Sequence, residues 1–325
     1  MRERSRTLGE NPASVPAVPA RVDTDRSLGA LLGLAVGDAL GAPVEGLPAA
    51  EIAERHGTLD SMVGGGPHDL RPGQGTDDTE MTICLARALI GAGGFDPRLA
   101  LEEYLAWFRG EPVGIGRTVS GVLALVAEGV PPAEATRRRH EESGGLTAGN
   151  GALMRTTPIG IAFAGNDRGL RDATLEDAAL THYDPLAGKA ALLHNQVLSW
   201  SLTRGPDAPL EELRDSSWLD ERIEDVVVPA VGGVRDVAEA RAAAGGAVVT
   251  AALAVGIAAY FTATSFEEGL VWAVNLGGDA DTNGAVAGAL LGARFGAAGI
   301  PDRWLDTLER RADLEALHEH LAALA

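Results

Sequence analysis

Cysteine is almost absent from the chain, with Cys84 the only one in 325 residues. A lone cysteine excludes an intramolecular disulfide and a cysteine-based zinc site. This usage is typical of a reducing compartment, so we expect a cytoplasmic protein. Residues 1–25 contain several charged residues and prolines but no apolar signal segment, and we interpret them as a disordered tail.

Basic residues are scarce. The chain has 27 Lys and Arg against 46 Asp and Glu, which gives a net charge of −19. No stretch clusters the Lys and Arg that a nucleic-acid surface needs, so this charge excludes DNA or RNA as a bulk partner. The surplus carboxylates either bind cations or form solvated surface, as we expect for the acidic stretch 207–225.

Aromatic residues make up only 4% of the chain, whereas glycine occurs 42 times. A core of small aliphatic residues favours closely approaching helices over sheets, which prefer β-branched and aromatic residues. We therefore predict an all-α fold, with one domain over residues 26–325. The periodicity of apolar residues predicts helices over 28–40, 78–90, 98–108, 117–129, 186–203, 247–264, 266–275 and 282–295, and a closing segment over 303–325.

One uncharged stretch, residues 245–266, is long enough to cross a membrane. It is rich in Ala, Gly and Thr, so it is only weakly apolar. A helix buried on all sides within a helical domain explains the same pattern, and we expect no membrane partner.

Two short acidic clusters lie far apart in the chain, Gly73–Glu80 and Gly277–Gly284. Each combines glycine, two aspartates and a threonine just before an apolar helical pattern. Two interpretations stay open: helix capping, which accounts for one or two carboxylates at each helix start, and convergence of four carboxylates and two hydroxyls on hard cations such as Mg²⁺. The second cluster also opens like an EF-hand loop, but Leu290 stands where the loop needs a glutamate.

Other motifs are weak when taken singly. They are Gly37–Gly41 followed by Glu45, Gly149–Arg155, and Thr181–Pro185. Asp38 could cap a helix or form an ion pair. His318-Glu319-His320 lies in a polar closing segment, where we expect solvated surface.

Taken together and in this order, the motifs resemble the ADP-ribosylglycohydrolase family, over roughly Ser27 to Trp304. The resemblance implies a compact orthogonal multi-helix bundle with two Mg²⁺ ions, or Mn²⁺ in some members, at the base of a cleft. The metal ligands implied by the family pattern are Thr76, Asp77, Asp78, Asp279, Asp281 and Thr282. By the same resemblance, Glu45 stands where some relatives have a glutamate that contacts the metal and serves in catalysis.

The resemblance also implies a substrate site. Asn150, Gly151 and His182 match positions that hold ADP-ribose, and the glycine turn at Gly114 and Gly116 lets backbone N–H groups approach a diphosphate. Arginine-directed relatives carry an Asp-Ile-Gly pattern where this chain has Gly114-Ile115-Gly116. The missing acid favours O-linked over arginine-linked substrates. Arg117 could reach a phosphate or lie on the surface.

The implied activity is Mg²⁺-dependent removal of ADP-ribose from a protein side chain or a small acceptor. Two alternatives remain: a metal-dependent glycosidase acting on a nucleoside-like molecule, and a non-catalytic ADP-ribose-binding protein. Against the latter, all six ligand positions and Glu45 hold residues competent for the chemistry.

Overall fold

The computed structural model describes residues 21–213, 219–243 and 248–325. Within these ranges the chain forms α-helices, three short 3₁₀ segments and isolated β-bridges only, which confirms the all-α prediction. The helices are α1 Thr24–Gly41, α2 Ala49–His56, α3 Asp77–Ala92, α4 Pro97–Phe108, α5 Arg117–Ala127, α6 Pro132–Glu142, α7 Thr157–Ala162, α8 Asp167–Ala179, α9 Pro185–Arg204, α10 Ala208–Glu212, α11 Glu221–Val231, α12 Asp236–Ala243, α13 Val249–Thr262, α14 Phe266–Asn275, α15 Ala280–Phe295, α16 Asp302–Thr307 and α17 Arg311–Leu321.

Helices α1 and α15 form the central pair, and glycines line their contact. Gly29, Gly33 and Gly37 recur every fourth residue on one face of α1 and meet Gly292, Gly288 and Gly284 of α15, in reversed order. The two helices are therefore antiparallel. A Cβ added at Gly37 would stand 1.9 Å from the carbonyl oxygen of Gly284, so the backbones touch directly. This confirms the expectation that small residues let helices approach closely.

The same contact fixes where the ends of these helices lie. A Cβ at Gly41, the last residue of α1, would stand 2.2 Å from the carbonyl oxygen of Ala280, the first residue of α15. Asp38 and Asp281 are thereby brought to one end of the central pair, although 243 residues separate them in the sequence.

Residues 249–262 of the uncharged stretch form α13, whose residues Val249–Tyr260 are all buried against the rest of the protein; residues 245–247 lie outside the described residues. Among the described helices, only the segment Thr24–Val44 is long and apolar enough to cross a membrane, but 94% of its most apolar window is buried inside the protein. Both segments therefore have the burial expected of core helices in a helical domain.

Helix α1 begins within the last residues of the predicted tail. Residues 1–20 of the expected tail lie outside the described residues. Helix α1 already begins at Thr24, where the side chain of Asp23 caps it by accepting from the backbone N–H of Arg26 at 3.1 Å. The backbone N–H of Asp23 also donates to the carbonyl of Leu202, so residues 23–25 belong to the folded domain.

One further expectation is corrected in the closing segment, which forms two helices, α16 and α17. His318 of α17 is buried, not solvated, and its Nε2 lies 2.7 Å from the hydroxyl oxygen of Ser27 in α1. The polar pattern of α17 conceals this contact because Leu314 and Leu321 complete its inward face together with His318.

The acidic stretch 207–225, expected to be a solvated connection, is partly helical. It contains α10 and the start of α11, and residues 214–218 lie outside the described residues. Pro229 lies inside α11.

Candidate metal centre and its cleft

The first acidic cluster forms the start of α3, but its helix is capped from elsewhere. Asp38 of α1 accepts hydrogen bonds from the backbone N–H groups of Thr76 and Thr79, at 2.9 and 3.1 Å, and from both of their hydroxyls. Asp38 therefore supplies the cap, one of the two roles expected for it. The carboxylates of Asp77 and Asp78 are not needed for capping and remain free for other partners.

Gly75 makes this capping contact possible. A Cβ at this position would stand 2.5 Å from a carboxylate oxygen of Asp38. The glycine that precedes the Thr-Asp-Asp-Thr sequence is thus required by the close approach of α1 to the start of α3.

The second acidic cluster forms the start of α15 and faces the first. The hydroxyl of Thr282 lies 3.5 Å from Oδ2 of Asp78, and the hydroxyl of Thr76 lies 3.5 Å from Oδ2 of Asp281. Asp279 does not cap α15 with its side chain but accepts from the amide of Asn150 at 2.7 Å. The structure therefore brings both clusters together at one end of the central helix pair.

Two groups of three carboxylates have the geometry of cation sites. One oxygen from each of Asp38, Asp78 and Asp281 lies within 4.8 Å of the others, and the same holds for Glu45, Asp279 and Asp281. Asp281 belongs to both groups, so the two candidate sites adjoin each other.

The electrostatics of the cluster are unfavourable without a cation. Burial, reinforced by the charges of neighbouring carboxylates, raises the pKa of Asp77, Asp78 and Asp281 well above the ordinary value. Oδ1 of Asp78 and Oδ1 of Asp281 are buried and have no hydrogen-bond partner among the described residues. Unpaired buried carboxylate oxygens are costly, and hard divalent cations prefer oxygen ligands, so the residues present fit such ions.

Glu45 lies just after the 3₁₀ segment Ala42–Val44, at the edge of the cluster. Its Oε2 is 3.1 Å from Nε2 of His68, and both side chains are 28% exposed. Burial raises the pKa of Glu45, and the adjacent His68 opposes the rise. Glu45 therefore combines contact with solvent and proximity to the carboxylates.

A cleft of about 630 Å³ opens above the carboxylates. Ten of the twelve residues predicted for the site line it, namely Glu45, Asp77, Gly114, Gly116, Asn150, Gly151, His182, Asp279, Asp281 and Thr282. The other two, Thr76 and Asp78, are buried beneath them. Arg117 also lines the cleft while remaining exposed, so both of its expected roles stay open.

The turn at Gly114 and Gly116 packs directly against the acidic cluster. Gly114 has φ +83°, and a Cβ there would stand 3.0 Å from Oδ1 of Asp77. The backbone N–H of Gly116 donates to the carboxylate of Asp77. Besides facing the cleft, this turn therefore holds one of the predicted ligands in place.

Arg155, the last residue of the Gly149–Arg155 motif, has a structural role that its local sequence did not reveal. It is fully buried and pairs with Asp177 at 3.0 Å. Its guanidinium also lies 4.6 Å from the ring centre of Tyr104, whose hydroxyl donates to Asp177. The only signal available was an arginine directly after the apolar run Ala152–Met154, which is an unusual place for a surface charge.

Fold and site together define a class of protein: an all-α protein with a carboxylate-rich candidate metal centre at the base of a cleft. Comparison with known proteins then names the family. A family model described as ADP-ribosylglycohydrolase matches residues 19–325. The chain belongs to this family and is an enzyme of the ADP-ribosylglycohydrolase class.

Individual relatives match the sequence of this chain over nearly its full length. The chain is 36% identical to the ADP-ribosyl-[dinitrogen reductase] glycohydrolase of Rhodospirillum rubrum, over 93% of this chain and 96% of that one. It is 30% identical to the ADP-ribosylarginine hydrolase Tri1 of Serratia proteamaculans, over 98% and 87%. A solved structure described as an ADP-ribosylglycohydrolase-related protein complex matches with a TM-score of 0.76 at 37% identity, covering 94% of this chain and 99% of that one.

Proposed function

We propose that this protein is a Mg²⁺-dependent hydrolase that cleaves the glycosidic bond between ADP-ribose and a protein side chain or small-molecule acceptor. The observation that supports this proposal most directly is that two sets of three carboxylates, which share Asp281, converge at the base of a cleft. Mn²⁺ accepts the same oxygen ligands and is a second candidate ion. The single cysteine supports a cytoplasmic location for this activity.

The residues that would hold two cations are those of the facing helix starts: Thr76, Asp77, Asp78, Asp279, Asp281 and Thr282. When bound, divalent cations would supply positive charge for substrate and water oxygens. Two such ions would also relieve the repulsion that raises the pKa of the buried aspartates. Asp38 is better assigned to the capping of α3, since its oxygens already accept from Thr76 and Thr79.

Glu45 is the residue we assign to proton transfer. Hydrolysis of a ribosyl bond passes through an oxocarbenium-like state, in which water attacks C1″ as the acceptor leaves. Glu45 can take a proton from that water or give one to the departing acceptor. Because the pKa of Glu45 is raised toward neutral pH, more of it is protonated there than of an ordinary glutamate. His68 orients its carboxylate.

We assign the binding of ADP-ribose to one wall of the cleft. Asn150, Gly151 and His182 line this wall, and Asn150 connects it to the acidic cluster through Asp279. The turn at Gly114 and Gly116 adds backbone groups that require no net positive charge.

We favour an O-linked acceptor because the turn carries no acid beside the cluster. An aspartate at position 114 would need the left-handed backbone of Gly114 and would crowd Asp77. Arginine-linked ADP-ribose is the second candidate, and the 30% identity to a protein named ADP-ribosylarginine hydrolase supports it.

A substrate panel tests the proposal. Purified protein with Mg²⁺ is offered ADP-ribosyl-serine, ADP-ribosyl-arginine, O-acetyl-ADP-ribose and plain nucleosides, and release of ADP-ribose or base is followed by chromatography. We expect release from an ADP-ribosylated substrate, lost in excess chelator and in Asp77→Ala and Asp281→Ala. Glu54→Gln, which changes an exposed carboxylate of α2, is the matched control and should retain activity.

Three outcomes would contradict the proposal. Retained turnover in both aspartate variants or in chelator would exclude a role of the metal centre in the reaction. Activity on nucleosides alone would establish the nucleoside glycosidase instead. Tight calorimetric binding of ADP-ribose without turnover of any linkage would establish a non-catalytic binder.

A further inference from the structure

A buried chain of hydrogen bonds runs from the core to the cleft wall. It begins at the ion pair of Arg155 and Asp177, both of which are at most 1% exposed. One terminal nitrogen of Arg155, Nη1, donates to the carbonyl of Gly151 at 3.1 Å and to the hydroxyl of Thr181 at 2.9 Å. That hydroxyl in turn lies 2.8 Å from Nδ1 of His182. Arg155 therefore contacts both segments that form this wall.

The direction of each hydrogen bond follows from the chemistry of the groups. A guanidinium only donates, so the Thr181 oxygen accepts from Arg155. Thr181 is fully buried, and Nδ1 of His182 is the one acceptor within reach of its hydroxyl proton in the described structure. If Nδ1 carried a proton instead, the hydroxyl proton would be buried without a partner. Nδ1 is therefore the acceptor, and in the neutral ring the proton resides on Nε2.

Nε2 of His182 belongs to the cleft side of the ring. Among the described residues it has no hydrogen-bond partner, and His182 itself lines the cleft. A Cβ added at Gly151, another lining residue, would stand 3.6 Å from Nε2. The glycine leaves this ring edge accessible to a ligand.

We propose that Arg155 is a positioning residue that acts through Thr181 to hold His182 in the Nε2-protonated neutral form, which presents one fixed hydrogen-bond donor to an oxygen of the ligand. The ligand part rests on the proposed function, with ADP-ribose as the ligand. A neutral donor suits a site that already carries bound cations, because it orients an oxygen without adding a further charge that changes with pH. Burial and the nearby positive charge of Arg155 lower the pKa of His182 to about 3, in agreement with a neutral ring.

The tautomer is measured directly by long-range ¹H–¹⁵N NMR on protein labelled with ¹⁵N-histidine, and His182→Gln identifies the signals. We expect the neutral Nε2–H pattern for His182 from pH 5.5 to 8, with no titration. Thr181→Val removes the hydroxyl at nearly constant volume and should shift the Nδ1 resonance. The matched control Thr181→Ser keeps the hydroxyl and should retain the wild-type pattern.

Calorimetry with free ADP-ribose gives a second readout. We expect affinity weakened roughly tenfold by Thr181→Val through the loss of one ordered hydrogen bond and restored by Thr181→Ser. An Nδ1–H tautomer or an imidazolium in the wild-type protein would overturn the proposal, as would wild-type behaviour of Thr181→Val in both readouts. If the wild type shows the Nε2–H form and Thr181→Val loses it, but the wild type does not bind ADP-ribose, the proposed function fails while the hydrogen-bond chain through Thr181 stands.

Discussion

Two regions of the central helix pair, the glycine contact along its length and the acidic cluster at one end, have opposite physical character. Along most of their length, α1 and α15 meet through glycines, with backbone against backbone. At the end formed by Asp38 and Asp281, the same helices carry buried carboxylates: burial raises the pKa of Asp38, and burial together with neighbouring carboxylates raises the pKa of Asp281. One region is stabilised by close packing, and the other is destabilised by desolvation and repulsion unless cations bind.

The contrast shows how the fold can tolerate the site. Close-packed backbones gain many dispersion contacts and leave no room for side-chain rearrangement. The end of α1, which caps α3 through Asp38, and the start of α15 are fixed in this way and cannot move apart to relieve the charge, so the carboxylates stay in position for a ligand. The glycine contact therefore holds the acidic cluster in place, and substitutions in either region can test this.

The largest expected effect comes from widening the glycine contact. In Gly288→Ala, the new Cβ would stand 2.0 Å from the carbonyl oxygen of Gly33, so the backbones must separate. We expect the free energy of unfolding to fall by about 3 kcal/mol, at the upper end of overpacking effects. Chemical denaturation followed by circular dichroism measures it.

The control for this variant is Gly91→Ala, in the exposed last turn of α3. A Cβ there meets nothing within 4 Å. Alanine is the better helix former, so the control should gain up to about 1 kcal/mol. Equal destabilisation of the two variants would show that close approach of α1 and α15 is not what distinguishes position 288.

The second effect concerns the acidic end and its dependence on pH. Asp77, Asp78 and Asp281 have native pKa values above the ordinary 3.8, so in chelator the native state binds more protons than the unfolded state. The free energy of unfolding should therefore decrease as pH rises above about 4. Mg²⁺ should oppose this decrease and stabilise more at pH 7 than at pH 5, by about 2.7 kcal/mol at a concentration 100 times its Kd.

Thermal melts with and without Mg²⁺ at each pH measure this difference. Asp281→Asn removes the carboxylate shared by both candidate cation sites and should weaken both the pH dependence in chelator and the gain from Mg²⁺. A Mg²⁺ effect of equal size at both pH values, or one unchanged in Asp281→Asn, would show that the acidic cluster does not bind the ion.

The smallest expected effect is a difference in Mg²⁺ affinity between variants at two glycines of one turn. Gly114→Ala imposes a side chain on a left-handed residue and places its Cβ 3.0 Å from Asp77, whereas a Cβ at Gly116 meets nothing within 4 Å. We expect Gly114→Ala to weaken Mg²⁺ affinity about five- to tenfold, corresponding to a strain of about 1 kcal/mol. Gly116→Ala should change it little. Isothermal titration calorimetry with Mg²⁺ compares the two variants, and equal affinities would show that the turn does not influence Mg²⁺ binding.

Most of the predicted helices follow from local patterns in the sequence, whereas the site residues were predicted from the resemblance to the family. Apolar periodicity indicates helices such as α9, α14 and α15 within a few residues of their observed ends. The motifs around Asp77 and Asp279 identify the residues that line the cleft. Periodicity failed where short polar helices bury a single polar side chain, as His318 does in α17.

Roles that depend on distant partners could not be predicted in this way. Asp38 caps α3 from another helix, and Arg155 links two separate loops through the core. The four-residue glycine spacing of α1 and α15 was visible in the sequence, but nothing in it says that these two helices pair with each other. Burial and partner identity are properties of the packed chain, so no local pattern contains them.

The sequence by itself determined that the protein is helical, that its core is made of small residues, and which acidic residues could serve a cation. These properties depend on residue type and short-range spacing. Only the tertiary structure decided which carboxylates share a site, that Asp38 acts as a cap, and that Arg155 orders the cleft wall. Each of these requires residues far apart in sequence to meet, and the direct contact of α1 with α15 brings Asp38 and Asp281 together across 243 positions.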